Sequence, residues 1–219
     1  MHCSEREKIL SSLRESVRGE VKEKRYAHIL RVEECAERMA RLYSDVLGEE
    51  DIFLIRAAAL LHDVTKDKGD EWQRRFIAEN GTDIPQGDED SKPLWHSFTA
   101  PGYISLHYPE FSHPTVLNAV RRHATGDAQM TLADKIICLA DYIEDGRKYP
   151  SCIDAREKFF GFDFSSASAT DRVRHLNTCL LLSLEYVKEH LEANGEKLSS
   201  KTKEATDALR KEINLTEVT

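Results

Sequence analysis

An all-α fold, a helical bundle with polar residues buried in its core, is what this sequence predicts, and three observations carry it. Apolar residues recur at spacings of three and four through most of the chain, the period of a helix face. No alternating apolar–polar run of useful length exists, so strands are expected to be absent or trivial. Ten glycines and six prolines in 219 residues suit long helices better than many turns.

Taken in order, Ser4 with Glu7 resembles a capping box opening a short first helix. A long helix is expected from Lys22 to Leu47, with Ile29, Val32, Ala36, Met39, Tyr43 and Val46 on one inward face. Asp51 reads as the N-cap of the next helix, which turns Ile52, Ile55, Ala58, Ala59 and Leu61 inward and ends near His62-Asp63-Val64. A charged amphipathic helix follows over Asp70 to Asn80, stopped by Gly81. Residues 82–93 are the clearest loop, acidic and marked by Pro85, Gly87 and Pro93. Further helices are expected near 94–107, 115–124, 131–144, 168–193 and 200–213, with Pro114 as a start and Gly126 as a stop. The polar segment from Gly195 onward is expected to pack loosely or fray. This divides the chain into an N-terminal helical extension (1–20), a single domain (21–213) and a tail (214–219).

Composition removes several classes of function. With 40% hydrophobic and 32% charged residues the chain is a globular one, long enough for a sizeable core. A formal charge of −8 argues against a broad nucleic-acid surface, which needs clustered cations. It leaves room for a small phosphorylated ligand, which needs only a few. The longest apolar runs, such as Ala57 to Leu61, cannot span a bilayer, and Met1 to Ile9 is too charged for a secretion signal. A cytoplasmic location is the default. Five scattered cysteines form no CxxC pair, so a disulfide framework or a thiolate zinc site is not expected.

The chemistry-bearing candidates are histidines and aspartates. His62-Asp63 ends a segment that should be buried, where a carboxylate is costly unless paired or metal-bound. By itself the doublet is weak: nine histidines and sixteen aspartates in 219 residues give about 0.7 chance doublets. It also fits a histidine at the negative end of a helix, with Asp63 capping the next segment. Four other residues shift the balance. His28 points with the apolar stripe of its helix, His96 sits in Leu94-Trp95-His96, and His123 lies three residues after the core-facing Val120. Asp141 sits in a helix that is apolar over most of its surface. Four inward histidines and two inward aspartates on five separate helices fit a single nitrogen–oxygen metal cluster in a bundle core. Lys66, one turn beyond His62, and Arg147, after the Asp141 helix, are candidate phosphate contacts. Each has a plainer reading, Lys66 as a solvated charge in Lys66-Asp67-Lys68 and Arg147 as a surface partner of Asp145 or Glu144. Arg25 likewise falls in a basic run with Lys22 and Lys24.

The order His28, His62-Asp63, Asp141 resembles the HD-domain superfamily of helical metal-dependent phosphohydrolases. The wider pattern is similar to its bacterial symmetrical bis(5'-nucleosyl)-tetraphosphatases, the YqeK-like group. The matching pieces are Arg25-Tyr26-Ala27-His28, Ala58-Ala59-Leu60-Leu61-His62-Asp63-Val64-Thr65-Lys66, Leu94-Trp95-His96, Val120-Arg121-Arg122-His123-Ala124-Thr125-Gly126 and Leu139 through Pro150. The last block, with Ala-Asp-Tyr-Ile-Glu followed by Arg and Tyr-Pro, is the most specific.

The resemblance implies an HD-type bundle over residues 21–213. It implies His28, His62, Asp63 and Asp141 around a metal, with Asp63 bridging and His96 and His123 completing a second site or facing phosphate. One or two metal ions are expected, iron first, with manganese or another divalent metal as alternatives. Asp63 and Lys66 would be catalytic. The nucleotide would meet Arg25, Asp63, Val64, Thr65, Lys66, His96, His123, Ala124, Arg147 and Thr202, the last in a segment that looks like the family's nucleotide-facing C-terminus. The implied reaction is symmetrical hydrolysis of diadenosine tetraphosphate to two ADP by a metal-activated hydroxide. The partner is thus a nucleotide, with ADP or GDP as product, not a nucleic acid polymer or a membrane, and a homodimer is compatible with it. Two departures bear on substrate fit: Ser97 to Gly102 replaces a small segment after His96, and Ala124 replaces a common hydroxyl. The alternatives are an HD phosphohydrolase for a nucleoside triphosphate, alarmone or cyclic dinucleotide, and an inert helical nucleotide-binding protein.

Overall fold

The computed structural model describes residues 3–215; residues 216–219 of the expected tail and the Cys3 side chain lie outside the described residues. Ten α-helices follow one another, joined by loops and two short 3₁₀ turns, at Lys92–Leu94 and Pro109–Phe111. They are α1 (Cys3–Arg18), α2 (Glu23–Arg41), α3 (Glu49–Leu61), α4 (Asp70–Asn80), α5 (Trp95–His107), α6 (Pro114–Arg122), α7 (Leu132–Ile143), α8 (Pro150–Phe160), α9 (Ala169–Ala193) and α10 (Ser200–Leu215). No strand occurs among the described residues.

The organising element is α3. Ile52 to Ile55 and Ala57 to Leu61 are all buried, so this helix is apolar around its whole circumference and belongs in the middle. The Ala57-Ala58-Ala59 run keeps its surface shallow where neighbours approach. Helices α2, α6 and α7 pack on α3, α7 also packs on α2 and α6, and α5 packs on α6. Arg56, the one residue of Ile52–Leu61 outside that buried set, reaches Glu33 on α2 and Glu7 on α1. On the far side α9 packs on α7, α8 and α10. Leu10, Leu13 and Val17 carry α1 into the same core. No described helix is long and apolar enough to cross a membrane. Cys35, Cys138, Cys152 and Cys179 are buried and free.

Several local expectations are corrected. Ser4 lies inside α1, not at its cap, and the Glu7 carboxylate pairs with Arg14 and Arg56 instead of closing a box. Helix α2 stops at Arg41, six residues early, so the helical phase is lost and Val46 is 56% exposed instead of inward. Gly48 is the N-cap of α3; Asp51 sits three residues in, and its carboxylate accepts from the Gly48 N–H at 2.9 Å. Helix α8 is an element the periodicity did not announce, because only Cys152, Ala155 and Phe159 are buried on it. The C-terminal segment does not fray after Gly195: Thr202, Ala205, Thr206 and Leu209 bury against the bundle, and Lys135 on α7 reaches Glu212 at 2.5 Å. Helix α4 ends at Gly81 in the left-handed conformation, as the sequence predicts.

Candidate metal centre and substrate cleft

All six predicted histidines and aspartates meet at the ends and inner faces of the central helices. His62 caps the C-terminus of α3 and Asp63 follows it. His123 caps the C-terminus of α6, His28 lies on α2, Asp141 on α7 and His96 in the first turn of α5. His62 is fully buried, and His28, Asp63, His96 and His123 are nearly so. The Asp63 carboxylate stands between two groups. Its Oδ2 lies 3.8 Å from His28 Nε2 and 3.6 Å from His62 Nε2. Its Oδ1 lies 3.1 Å from His96 Nε2 and 3.7 Å from His123 Nε2. Asp141 Oδ1 closes the first group, 3.0 Å from His28 Nε2 and 4.0 Å from His62 Nε2.

The fit to a metal is decided by the imidazole tautomers. His62 Nδ1–H donates to the Ala59 carbonyl at 2.7 Å, and His123 Nδ1–H to the Val120 carbonyl at 2.6 Å. His28 Nδ1–H donates to Glu144 at 3.2 Å. With the proton fixed on Nδ1, each ring turns a bare Nε2 lone pair inward. His28 Nε2 and His62 Nε2 are buried without a hydrogen-bond partner, a costly state unless a cation accepts the lone pairs. Two triads have ligand atoms all within 4.8 Å: His28, His62 and Asp141, and His62, Asp63 and His123. Neutral nitrogen and anionic oxygen donors suit zinc, iron or manganese.

The electrostatics agree. Burial pushes His62 down to about 4 and His96 to about 3, so both rings are neutral at ordinary pH. Burial pushes the Asp63 and Asp141 carboxyls up, but neighbouring imidazoles, and Arg147 beside Asp141, outweigh it and hold both well below the usual carboxylate range. His62 and the two carboxyls therefore stand in the protonation states a metal requires, whereas at His28 burial is outweighed by the hydrogen bond and charge of Asp141, which raise that ring above its ordinary value.

His96 differs from the other three rings. The Lys66 ammonium donates to its Nδ1 at 3.0 Å and to the Pro93 carbonyl at 2.7 Å. A ring that accepts at Nδ1 carries its proton on Nε2, toward Asp63 Oδ1 and His123 Nε2, the latter at 3.1 Å. His96 belongs to neither triad. Lys66 is thus no solvated charge; burial lowers its pKa.

Arginines close the mouth of the cluster. Arg25 donates to Asp63 Oδ2 at 2.6 Å, and Arg147 to Asp141 Oδ1 at 2.7 Å, so Arg147 engages Asp141 more closely than Glu144. The Val64 and Thr65 side chains are fully buried and present no surface to the cleft. The Thr65 hydroxyl instead donates to the His96 carbonyl and sits 3.0 Å from Thr99, fastening α5 to the end of α3. Ala124 and Thr202 share the wall of a separate pocket of about 450 Å³, with Leu94, Val187 and Leu191.

Sequence reasoning named Glu144 only as a surface partner of Arg147 and not among the site residues, yet its position is central. It is buried, accepts from His28, from Arg31 at 2.6 Å and from the Gly146 N–H, and stays ionised because these donors outweigh its burial. The available signal was its spacing of three residues from Asp141.

Comparison with known proteins matches residues 25–146 to the HD domain. The chain is 36% identical over 138 residues to a symmetrical bis(5'-nucleosyl)-tetraphosphatase of Staphylococcus aureus, covering 62% of this chain and 66% of that protein. It is 30% identical over 142 residues to the Bacillus subtilis protein of the same name, covering 64% and 72%. The match thus spans about two thirds of these relatives. A crystal structure described as a predicted HD superfamily hydrolase involved in NAD metabolism, from Clostridium acetobutylicum, has a TM-score of 0.76 at 27% identity, over 92% of this chain and 96% of that one.

Proposed function

The chain belongs to the HD-domain family, and from that premise we propose that it is a metal-dependent phosphohydrolase splitting bis(5'-nucleosyl) tetraphosphates at the central bridge into two nucleoside diphosphates. The observation that carries this reading is the set of bare Nε2 atoms of His28 and His62 turned toward the carboxylates of Asp63 and Asp141. The relatives named as symmetrical tetraphosphatases supply the substrate class.

His28, His62, Asp63 and Asp141 would hold the metal, and His123 with the other oxygen of Asp63 would hold a second ion. Iron is the first candidate, and manganese the next. When bound, such an ion supplies positive charge at the phosphate and lowers the pKa of water enough to give a nucleophile near neutral pH. The chain's own groups do the rest. Asp63 orients the cluster through both oxygens. Arg25 and Arg147 lie at its mouth, where they neutralise phosphate oxygens in a bidentate manner. Lys66 holds His96 with its proton on Nε2, a donor for the charge that develops on the departing phosphate. Ala124 and Thr202 border the nucleoside. The products remain soluble nucleotides, which suits a cytoplasmic enzyme.

The test is purified protein, grown with iron or manganese, assayed on diadenosine tetraphosphate by chromatography. ADP as the sole product supports the reading. AMP with ATP, or turnover that survives Asp63→Ala, overturns it.

A further inference from the structure

We infer that the basic groove beside the cluster is a second nucleotide subsite, with Tyr149 as the platform for its base. This rests on the reading of a symmetrical cut. A bond broken at the middle of a dinucleotide requires phosphate and nucleoside to extend on both sides of the cluster.

The structure has a cavity on each flank. One pocket, bordered by Ala124 and Leu94, which are close in sequence to His123 and His96, combines the apolar Val187 and Leu191 with Asp90, Glu196 and Lys197, a mixed lining that suits one nucleoside. On the His28 side a groove of about 560 Å³ opens between the N-terminus of α2 and the link from α7 to α8. Its character is more basic. Lys22, Lys24, Arg25, Arg31, Arg147 and Lys148 line it, against only Asp67 and Glu144. In a chain of net charge −8 this is a local reversal of sign.

The commitments of these cations separate two duties. Arg25, Arg147 and Arg31 are held by Asp63, Asp141 and Glu144. No carboxylate among the described residues lies within 4 Å of the Lys22, Lys24 or Lys148 ammonium, and Lys148 donates only to the Asp145 carbonyl. Asp67 faces the groove but accepts from the Lys22 backbone N–H. These three lysines are exposed and suited to the phosphates farther from the cluster.

Tyr149 stands at the same rim. It is 70% exposed, next to Leu215 among the large hydrophobic residues described, and makes no ring contact with another described residue. Its backbone is fixed by serving as the N-cap of α8 ahead of Pro150. A rigidly mounted, open aromatic face beside uncommitted ammoniums is the chemistry that receives a base and its phosphates without reading sequence.

The experiment compares diadenosine tetraphosphate with adenosine 5'-tetraphosphate, which keeps four phosphates but lacks the second nucleoside. The readout is the ratio of kcat/KM for the two compounds in the holoenzyme, Tyr149→Ala, Tyr149→Trp and the double variant Lys22→Ala/Lys24→Ala. The expected result is that Tyr149→Ala lowers the ratio about tenfold, through KM for the dinucleotide, and that Tyr149→Trp restores it. The lysine variant should raise KM for both compounds and flatten its salt dependence. A ratio unchanged in Tyr149→Ala, with the wild type active on the dinucleotide, overturns this subsite alone. A wild type that splits neither compound overturns the hydrolytic reading, and the subsite with it.

Discussion

Replacing Glu144 with glutamine tests whether tautomer control holds the metal centre together. Three donors converge on this carboxylate: His28 Nδ1 on one oxygen, Arg31 Nε and the Gly146 N–H on the other. Glutamine keeps the shape but offers one oxygen and one amide NH₂. If the NH₂ faces Arg31 and Gly146, donors oppose donors. If it faces His28, it can donate only to a bare Nδ1, which forces the ring proton onto Nε2, the atom aimed at Asp141 and Asp63. Either way the site loses a ligand in its working state or strains to keep it. Groups that orient metal-binding histidines typically matter by 10- to 100-fold, so the metal Kd should rise by about that factor, or about 1.4–2.7 kcal/mol. The assay is competition for the metal against a chelator of known affinity, with the exposed neighbour Asp145→Asn as control. A Glu144→Gln protein that binds metal within twofold of wild type would refute the argument.

Other outcomes follow from the same geometry. Stripping the metal should lower Tm, since an ion held at 100 times its Kd contributes about 2.7 kcal/mol; the shift should vanish in Asp63→Ala, and an equal shift in both proteins would mean that stabilisation arises elsewhere. Gly126 has φ +68°, and a Cβ there would meet the Ala205 Cβ at 2.8 Å, so Gly126→Ala should cost about 2–4 kcal/mol in urea unfolding and push α10 from the cleft. A loss below 0.5 kcal/mol, roughly the scale of surface changes, contradicts this. His175 stacks on Phe162 and Phe159, and burial holds its pKa below the ordinary value near 6.5. Below about pH 6.5 the unfolded chain takes up a proton that the folded site resists, so stability falls with pH there and is indifferent above it. His175→Phe should flatten this part of the slope, measured as urea midpoints at pH 5.5 and 7.5; an unaltered slope would assign the loss to other groups.

The legible part of this molecule was whatever local period and local chemistry decide. His28, His123 and Asp141 could be placed inward because each shares a face with apolar neighbours, and α4 could be bounded because Gly81 stops it locally. The illegible part depends on residues far along the chain. Tyr43, Val46 and Leu47 keep helical spacing, yet the segment is a turn held from α9. Tyr43 donates to the Arg172 carbonyl at 3.0 Å, and Arg172 reaches Asp45 at 2.6 Å. Glu144 acquires its role only where α7 meets α2, 116 residues apart in sequence. The C-terminal helix looked too polar to dock, and it is fastened by Ala205, Leu209 and a Lys135–Glu212 pair that no local pattern reveals. Val64 and Thr65 fell in a matching motif, but adjacency to Asp63 in sequence put their side chains in the core, not in the cleft.

His62 and His123 each cap a helix and each spend Nδ1–H on the carbonyl three residues back. That carbonyl belongs to the last turn, which every helix leaves without an internal partner. A structural debt common to all helices is thereby settled by the ring that must present a bare nitrogen to the cation. For an engineer this makes the ligands portable: a histidine placed at the end of a buried helix inherits the right tautomer from its own backbone. It also decouples inheritance of the centre from that of the cleft. The loop over 82–94, the α7–α8 link and the α9–α10 end can diverge toward new nucleotides while the two helix ends keep the metal-binding chemistry intact.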